Sequence, residues 1–186
     1  YTDGVLQFYT NNEEYLRIDR GAGTIQAYAP ILLPHSTSLN DTNQASLGIG
    51  QYVGLSSYPE SLAIGYYAGT DNNQLWQAVA LGAYAGANYQ GESTVAIGAR
   101  AGNQNQGDAA IAMGRKAGNY YQGQYAVALG YYAGATSQGN GAVAVGDEAG
   151  QTNQSTDAVA VGPWAGRDGQ GWSAVALGKN AGNSGQ

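Results

Sequence analysis

The sequence predicts an all-β protein, a parallel β-roll (solenoid) of about nine sixteen-residue coils behind a small N-terminal β connector. Three observations carry that prediction. Glycine recurs every sixteen residues at Gly82, Gly98, Gly114, Gly130, Gly146, Gly162 and Gly178. A second glycine follows four residues behind each, from Gly86 to Gly182, and a glutamine keeps the same period from Gln74 to Gln186. Before each leading glycine runs a four-residue apolar segment, as in Ala78-Val79-Ala80-Leu81. A fixed short period belongs to stacked repeats, in which one unit cannot bury its apolar face alone and its neighbours cover it.

Residues 1–44 stand outside the period and read as the connector and linker. Val5-Leu6-Gln7-Phe8-Tyr9 and Tyr15-Leu16-Arg17-Ile18 predict two strands joined by the polar turn Thr10 to Glu14. Gly21-Ala22-Gly23 breaks the pattern, and Thr24-Ile25-Gln26-Ala27-Tyr28 alternates as a third strand. Pro30 and Pro34 bracket Ile31-Leu32-Leu33, and Ser36 to Gln44 is a polar linker. The roll then occupies residues 45–186. Its first coils are irregular: Gly50 and Gly54, then Gly65 and Gly69, with steps of fifteen and seventeen residues before the period settles at sixteen. Terminal repeats adapt in this way.

Within a coil, the apolar runs are too short for helices and carry Val or Ile at Val79, Val95, Ile111, Val127, Val143, Val159 and Val175. That is a strand signal. Two glycines in every sixteen residues would cost a helix ~1 kcal/mol each. Each unit is therefore expected to be a strand, a tight glycine turn, a second short strand through Ala-Gly, and a Gln-Gly turn back. Stacking at ~4.8 Å would make the roll roughly 40 Å long. Alternation puts Ala78 and Ala80 on one face and Val79 and Leu81 on the other. The small alanines suit a narrow interior, which leaves a contiguous Val/Leu stripe outside. Such a stripe far exceeds the apolar patch a monomer normally exposes, so self-association is expected. Stacked glutamines would hydrogen-bond their amides along the roll.

Composition excludes several functions. The 186-residue chain has no cysteine, thirty glycines, fifteen tyrosines and one phenylalanine. Charged residues are 11 % and the net charge is −6, so no basic footprint for nucleic acid exists. No run approaches the ~18 apolar residues of a spanning helix, which argues against membrane insertion. Tyr1 in place of an initiator methionine reads as a fragment or processed product, and the stop at Gln186 as a cut boundary.

Catalysis has little to stand on, and the expectation is a protein that is not an enzyme and needs no cofactor or metal. His35 is alone in the Pro-rich linker, and no Gly-x-Ser-x-Gly elbow or recognisable carboxylate pair is present. Glu92 and Asp108, at equivalent positions of adjacent coils, are all that a polysaccharide depolymerase reading could use. Arg115-Lys116 and Asp147-Glu148 read as solvated turn charges. No lysine with Ser or Thr follows the glycines as a phosphate loop requires, and no Asp recurs as in calcium β-rolls. The variable pair after each leading glycine is more informative. Its second member runs Tyr52, Tyr67, Tyr84, Arg100, Lys116, Tyr132, Glu148, Trp164 along the stack, and Tyr89, Tyr121 and Trp172 lie around the other turn. Aromatic residues beside amides suit recognition surfaces and sugar rings. The candidate binding residues are therefore Tyr52, Tyr67, Tyr84, Tyr89, Tyr121, Tyr132, Trp164 and Trp172.

The unit carried by Ala80, Leu81, Gly82, Ala85 and Gly86 and repeated in later coils resembles the head repeat of YadA-like trimeric autotransporter adhesins. It also resembles the repeats of bacteriophage and large-virus tail-fibre proteins. The adhesin repeat is nearer fourteen residues, so the sixteen-residue unit with its Gln-Gly turn departs from it. The resemblance covers about residues 45–186. Leu6-Gln7-Phe8-Tyr9-Thr10-Asn11-Asn12 followed by Leu16-Arg17-Ile18-Asp19 is similar to a segment of phage fibre proteins. The resemblance implies a left-handed roll, three identical chains around one axis, and an extracellular location on a virion fibre or cell surface. It also implies attachment to a target-cell glycan or other surface receptor. The competing expectation is a structural spacer whose recognition lies elsewhere in a longer protein.

Overall fold

The computed structural model describes residues 5–10, 13–19, 24–27, 47–50, 52–53, 61–70 and 76–185. The chain divides into two compact units, Tyr1–His35 and Ser36–Gln186. In the first, Val5–Thr10, Glu13–Asp19 and Thr24–Ala27 form an antiparallel meander in chain order. Ile18 pairs with Leu6 on one side and Ile25 on the other, and Tyr15 is bypassed where the register shifts after Phe8. These are the three strands expected, the third ending at Ala27. Tyr28, the Pro30–Pro34 segment, His35, the linker to Gln44, and Gly54 lie outside the described residues.

The second unit is a parallel solenoid without a helix among its described residues. Its first wall stacks nine strands: Leu47–Ile49, Leu62–Ile64, Val79–Leu81, Val95–Ile97, Ile111–Met113, Val127–Leu129, Val143–Val145, Val159–Val161 and Val175–Leu177. Ala112 stands opposite Ala96 on one side and Ala128 on the other. Equal positions of the sixteen-residue unit therefore line up as columns along the roll. The second wall holds Asn88–Gln90, Gln104–Gln106, Tyr120–Gln122 and Thr136–Gln138. Single bridges at Thr152, Asp168 and Ser184 continue it.

Two expectations are corrected here. The roll has about seven full turns rather than nine, because the coils led by Gly50 and Gly65 contribute to the first wall but no described residue of theirs pairs in the second. The second strand also begins later than expected. Ala133-Gly134 belongs to the turn, with Gly134 at φ +51°, and pairing starts at Thr136.

The interior is narrow. Ala80, Ala96, Ala112, Ala128, Ala144 and Ala160 are wholly buried on one side of it, and the buried Gln90, Gln106, Gln122, Gln138, Gln154 and Gln170 fill the other. Gln138 Nε2 donates to Val127 O at 2.8 Å, Ala142 O at 3.1 Å and Gln154 Oε1 at 3.2 Å. Gln154 repeats the set with Val143 O, Ala158 O and Gln170 Oε1. The expected amide ladder thus joins Gln138, Gln154 and Gln170, but each carboxamide chiefly ties the second wall to carbonyls at the N-terminal edge of the first-wall strands, in its own coil and the next. The second glycine of the repeat makes room for it: a Cβ on Gly134 would lie 2.5 Å from Gln138 Oε1. Val and Leu point outward as expected. Their stripe is half-buried along the stack because adjacent turns cover one another, whereas Val175 and Leu177 on the last strand are 64 % and 73 % exposed.

Candidate functional site

The outer surface is set by unusual backbone. The second residue of each variable pair is left-handed, as at Tyr84 (φ 58°), Arg100 (60°), Lys116 (60°), Tyr132 (52°) and Trp164 (59°). So is the middle residue of the second wall at Tyr89 and Tyr121. Each corner N–H is held by the preceding turn: Tyr84 N donates to Tyr66 O, Arg100 N to Ala83 O, and Lys116 N to Ala99 O. The corner side chains consequently stand in registered columns one strand spacing apart.

The eight candidate residues fall in three columns rather than one site. Tyr52, Tyr67, Tyr84, Tyr132 and Trp164 share the first corner. Tyr52 and Tyr67 have ring centroids 4.8 Å apart, and Tyr67 and Tyr84 stack at 5.3 Å with 8° between planes. Tyr132 and Trp164 are set apart from this stack by Arg100, Lys116 and Glu148 in the intervening turns. Tyr89 and Tyr121 share a second column with Asn105 between them, and both are exposed. Trp172 lies in a third column with Trp76, and at 76 % exposure it is available for contact on nearly all sides. Tyr89 also borders a groove of about 470 Å³ lined by Gly91, Asn105, Gly107, Gln124 and Asn140.

Five side chains beside this surface were not among the candidates. Tyr66 and Tyr131, the first members of their pairs, pack edge-on against Tyr67 and Tyr132 at 4.7 and 4.6 Å. Arg100 lies over the Tyr84 ring, Arg115 over Tyr131 and Lys116 over Tyr132, at 5.6, 5.5 and 4.6 Å. Arg115 Nη1 also donates to Tyr131 OH at 3.2 Å, and Lys116 Nζ donates to Tyr132 OH. These turn charges are thus held on aromatic faces, not simply solvated, and Glu148 is bridged by Arg167 at 3.1 Å. Column order was the available signal, since the cations follow the tyrosines at the same repeat position.

Electrostatics follow from these contacts. The hydrogen bond from Lys116, aided by its charge and that of Arg115, holds the Tyr132 phenol below the ordinary tyrosine range. Tyr66 moves the other way, through partial desolvation and then the neighbouring phenols of Tyr84 and Tyr67. Asp108, half of the depolymerase pair, is used structurally: Oδ1 accepts from Glu92 N at 3.1 Å and Oδ2 from Gln124 Nε2 at 3.2 Å. Among the described residues no cluster of three His, Cys, Asp or Glu is placed to hold a metal, and no helix is long and apolar enough to cross a membrane.

Residues 122–149 match the family model of the YadA head domain repeat, in two copies. These turns are similar to YadA head repeats. The matched span runs from Gln122 through Gly130, Gly134 and Gln138 to Gly146, so the two glycines and the glutamine of the period fall within it. The YadA head is an adhesin family and not an enzyme family, and its members are surface-exposed. No curated protein and no solved structure gives a match.

Proposed function

We propose that this roll is a homotrimeric fibre domain that projects from a virion or cell surface and attaches to a glycan or other receptor on a target cell. The observation that carries the reading is the Val/Leu stripe, an apolar band along the whole first wall of a roll whose interior is already filled by alanine and glutamine. Burying it between copies would be a dominant stabilising term at ~25 cal/mol per Å². The YadA head repeat supports three copies, since heads of that family are homotrimers, and the left-handed coil sense belongs to the same proposal. Residues 1–44 would connect the roll to the rest of a fibre. Exposed Tyr52, Tyr89, Tyr121 and Trp172 present aromatic faces to a target, with Tyr67, Tyr84, Tyr132 and Trp164 half-buried behind them. Repetition along three chains would let many weak contacts act together.

One observation favours the spacer reading: Tyr67 and Tyr84 spend their faces on each other. Attachment of the protein to whole target cells, with and without Tyr89→Ser, Tyr121→Ser and Trp172→Ala together, separates the two. Attachment reduced about tenfold or more is expected; full attachment by the triple variant would leave the roll a spacer.

A further inference from the structure

The first corner contains a second kind of surface. Arg100, Arg115 and Lys116, three of the seven cationic side chains in a chain of net charge −6, stand in two consecutive turns. With Ala83, Tyr84 and Ala99 they line a cleft of about 320 Å³. Its origin lies in the columns. The first member of the pair is tyrosine at Tyr66 and Tyr131 but alanine at Ala83 and Ala99, so the wall is cut back between two aromatic ridges.

The cations in this cleft are uncompensated. Among the described residues, no carboxylate lies within ion-pairing distance of any of them, and the nearest acidic pair along the stack, Asp147-Glu148, lies beyond the Tyr131-Tyr132 turn with Glu148 tied to Arg167. They are also pre-positioned. Arg100 rests on the Tyr84 ring and its guanidinium donates to no described group, while Arg115 and Lys116 each spend one donor on a tyrosine hydroxyl and keep the rest. Holding a charged side chain in place before binding lowers the ordering cost of association. A guanidinium fork with free donors matches a carboxylate or sulfate.

We propose that the cleft formed by Tyr84, Arg100, Arg115 and Lys116 binds the anionic substituent, carboxylate or sulfate, of an acidic glycan on the target surface. This rests on the attachment reading and names the ligand class for one part of the same wall.

The test titrates the whole chain with oligogalacturonate, dextran sulfate and neutral dextran by calorimetry at low and high salt. Binding to at least one anionic probe and none to neutral dextran is expected, weakening with salt because the cleft is open to solvent. The two anionic arms distinguish carboxylate from sulfate as the preferred group. The variant Arg100→Asn, Arg115→Ala, Lys116→Asn should weaken anionic binding roughly tenfold or more. Its replacements are the residues that the same columns carry at Asn180 and Ala99, so the roll tolerates them, and a thermal melt verifies that it folds. Equal binding of neutral and anionic probes, or undiminished binding by the variant, overturns the inference. Cell attachment lost on removing the exposed aromatics but untouched by the cation variant also overturns it and leaves attachment standing. Salt-sensitive binding of anionic probes by a protein that attaches to no cell sustains the cleft and removes the attachment reading.

Discussion

Among the described residues of the roll, twenty that are not glycine adopt φ between 52° and 61°, among them tyrosine, tryptophan, arginine and lysine. An L-residue in that region costs about 1–2 kcal/mol, and hydrogen bonds from corner N–H groups to the turn before, as from Tyr132 N to Arg115 O at 3.1 Å, offset it. Glycine at equivalent strain is not interchangeable from site to site. Gly134→Ala brings a methyl 2.5 Å from Gln138 Oε1 and should cost about 2–4 kcal/mol. Gly169→Ala, whose Cβ would meet only Gly185 Cα at an ordinary 4.0 Å, should cost only about 1 kcal/mol; urea unfolding of the two variants checks the contrast. The tyrosines also differ by their neighbours. Because Lys116 favours the Tyr132 phenolate, Tyr132 should ionise at lower pH than Tyr66 in an alkaline absorbance titration. The sign for stability follows. Tyr132 has a folded value below its ordinary one of about 10, so its contribution is present above that value and is lost as pH falls through the lowered one. Lys116→Asn should raise the pH at which Tyr132 ionises.

Each coil is too small to have a core of its own, so the decisive element is the strut between walls. Gln154 satisfies Val143 O and Ala158 O from the buried interior. Gln154→Ala leaves both carbonyls without that donor and opens space, which should lower stability by about 2–4 kcal/mol. Gln154→Leu should not rescue it, because the lost group is a donor and not volume; thermal melts of both variants test this. This strut was only half legible. The period of glutamine was plain, and the Gln138–Gln154–Gln170 ladder was expected. The bonds to the first wall were not, because a period tells which residues stack and not what each faces across the interior. The same gap misplaced the second strand. Left-handed residues of the Asn or Gly type announce a turn in sequence, whereas Tyr132 announces none, and its conformation is imposed by the stacked turns on either side.

For the whole molecule, the outward Val/Leu band makes self-association the central expectation. The protein should run in light scattering at about three times its chain mass of 19.1 kDa. Val127→Asp with Leu129→Asp should shift it to monomer while the alanine and glutamine interior keeps its β signal in circular dichroism. An unaltered mass would mean that another face joins the copies.

By itself the sequence determined the period, the parallel stack, the small interior and the apolar face left outside it, because glycine spacing and strand alternation are local properties of the chain. Tertiary structure alone decided that, among the described residues, seven turns carry both walls and that Ala83 and Ala99 open a cleft between tyrosine ridges. It also decided that Arg100, Arg115 and Lys116 gather on aromatic faces with no described carboxylate beside them. The reason is geometric: residues sixteen apart in sequence become neighbours only when one turn lies on the next, and their side chains meet according to reach and corner direction, which spacing does not encode.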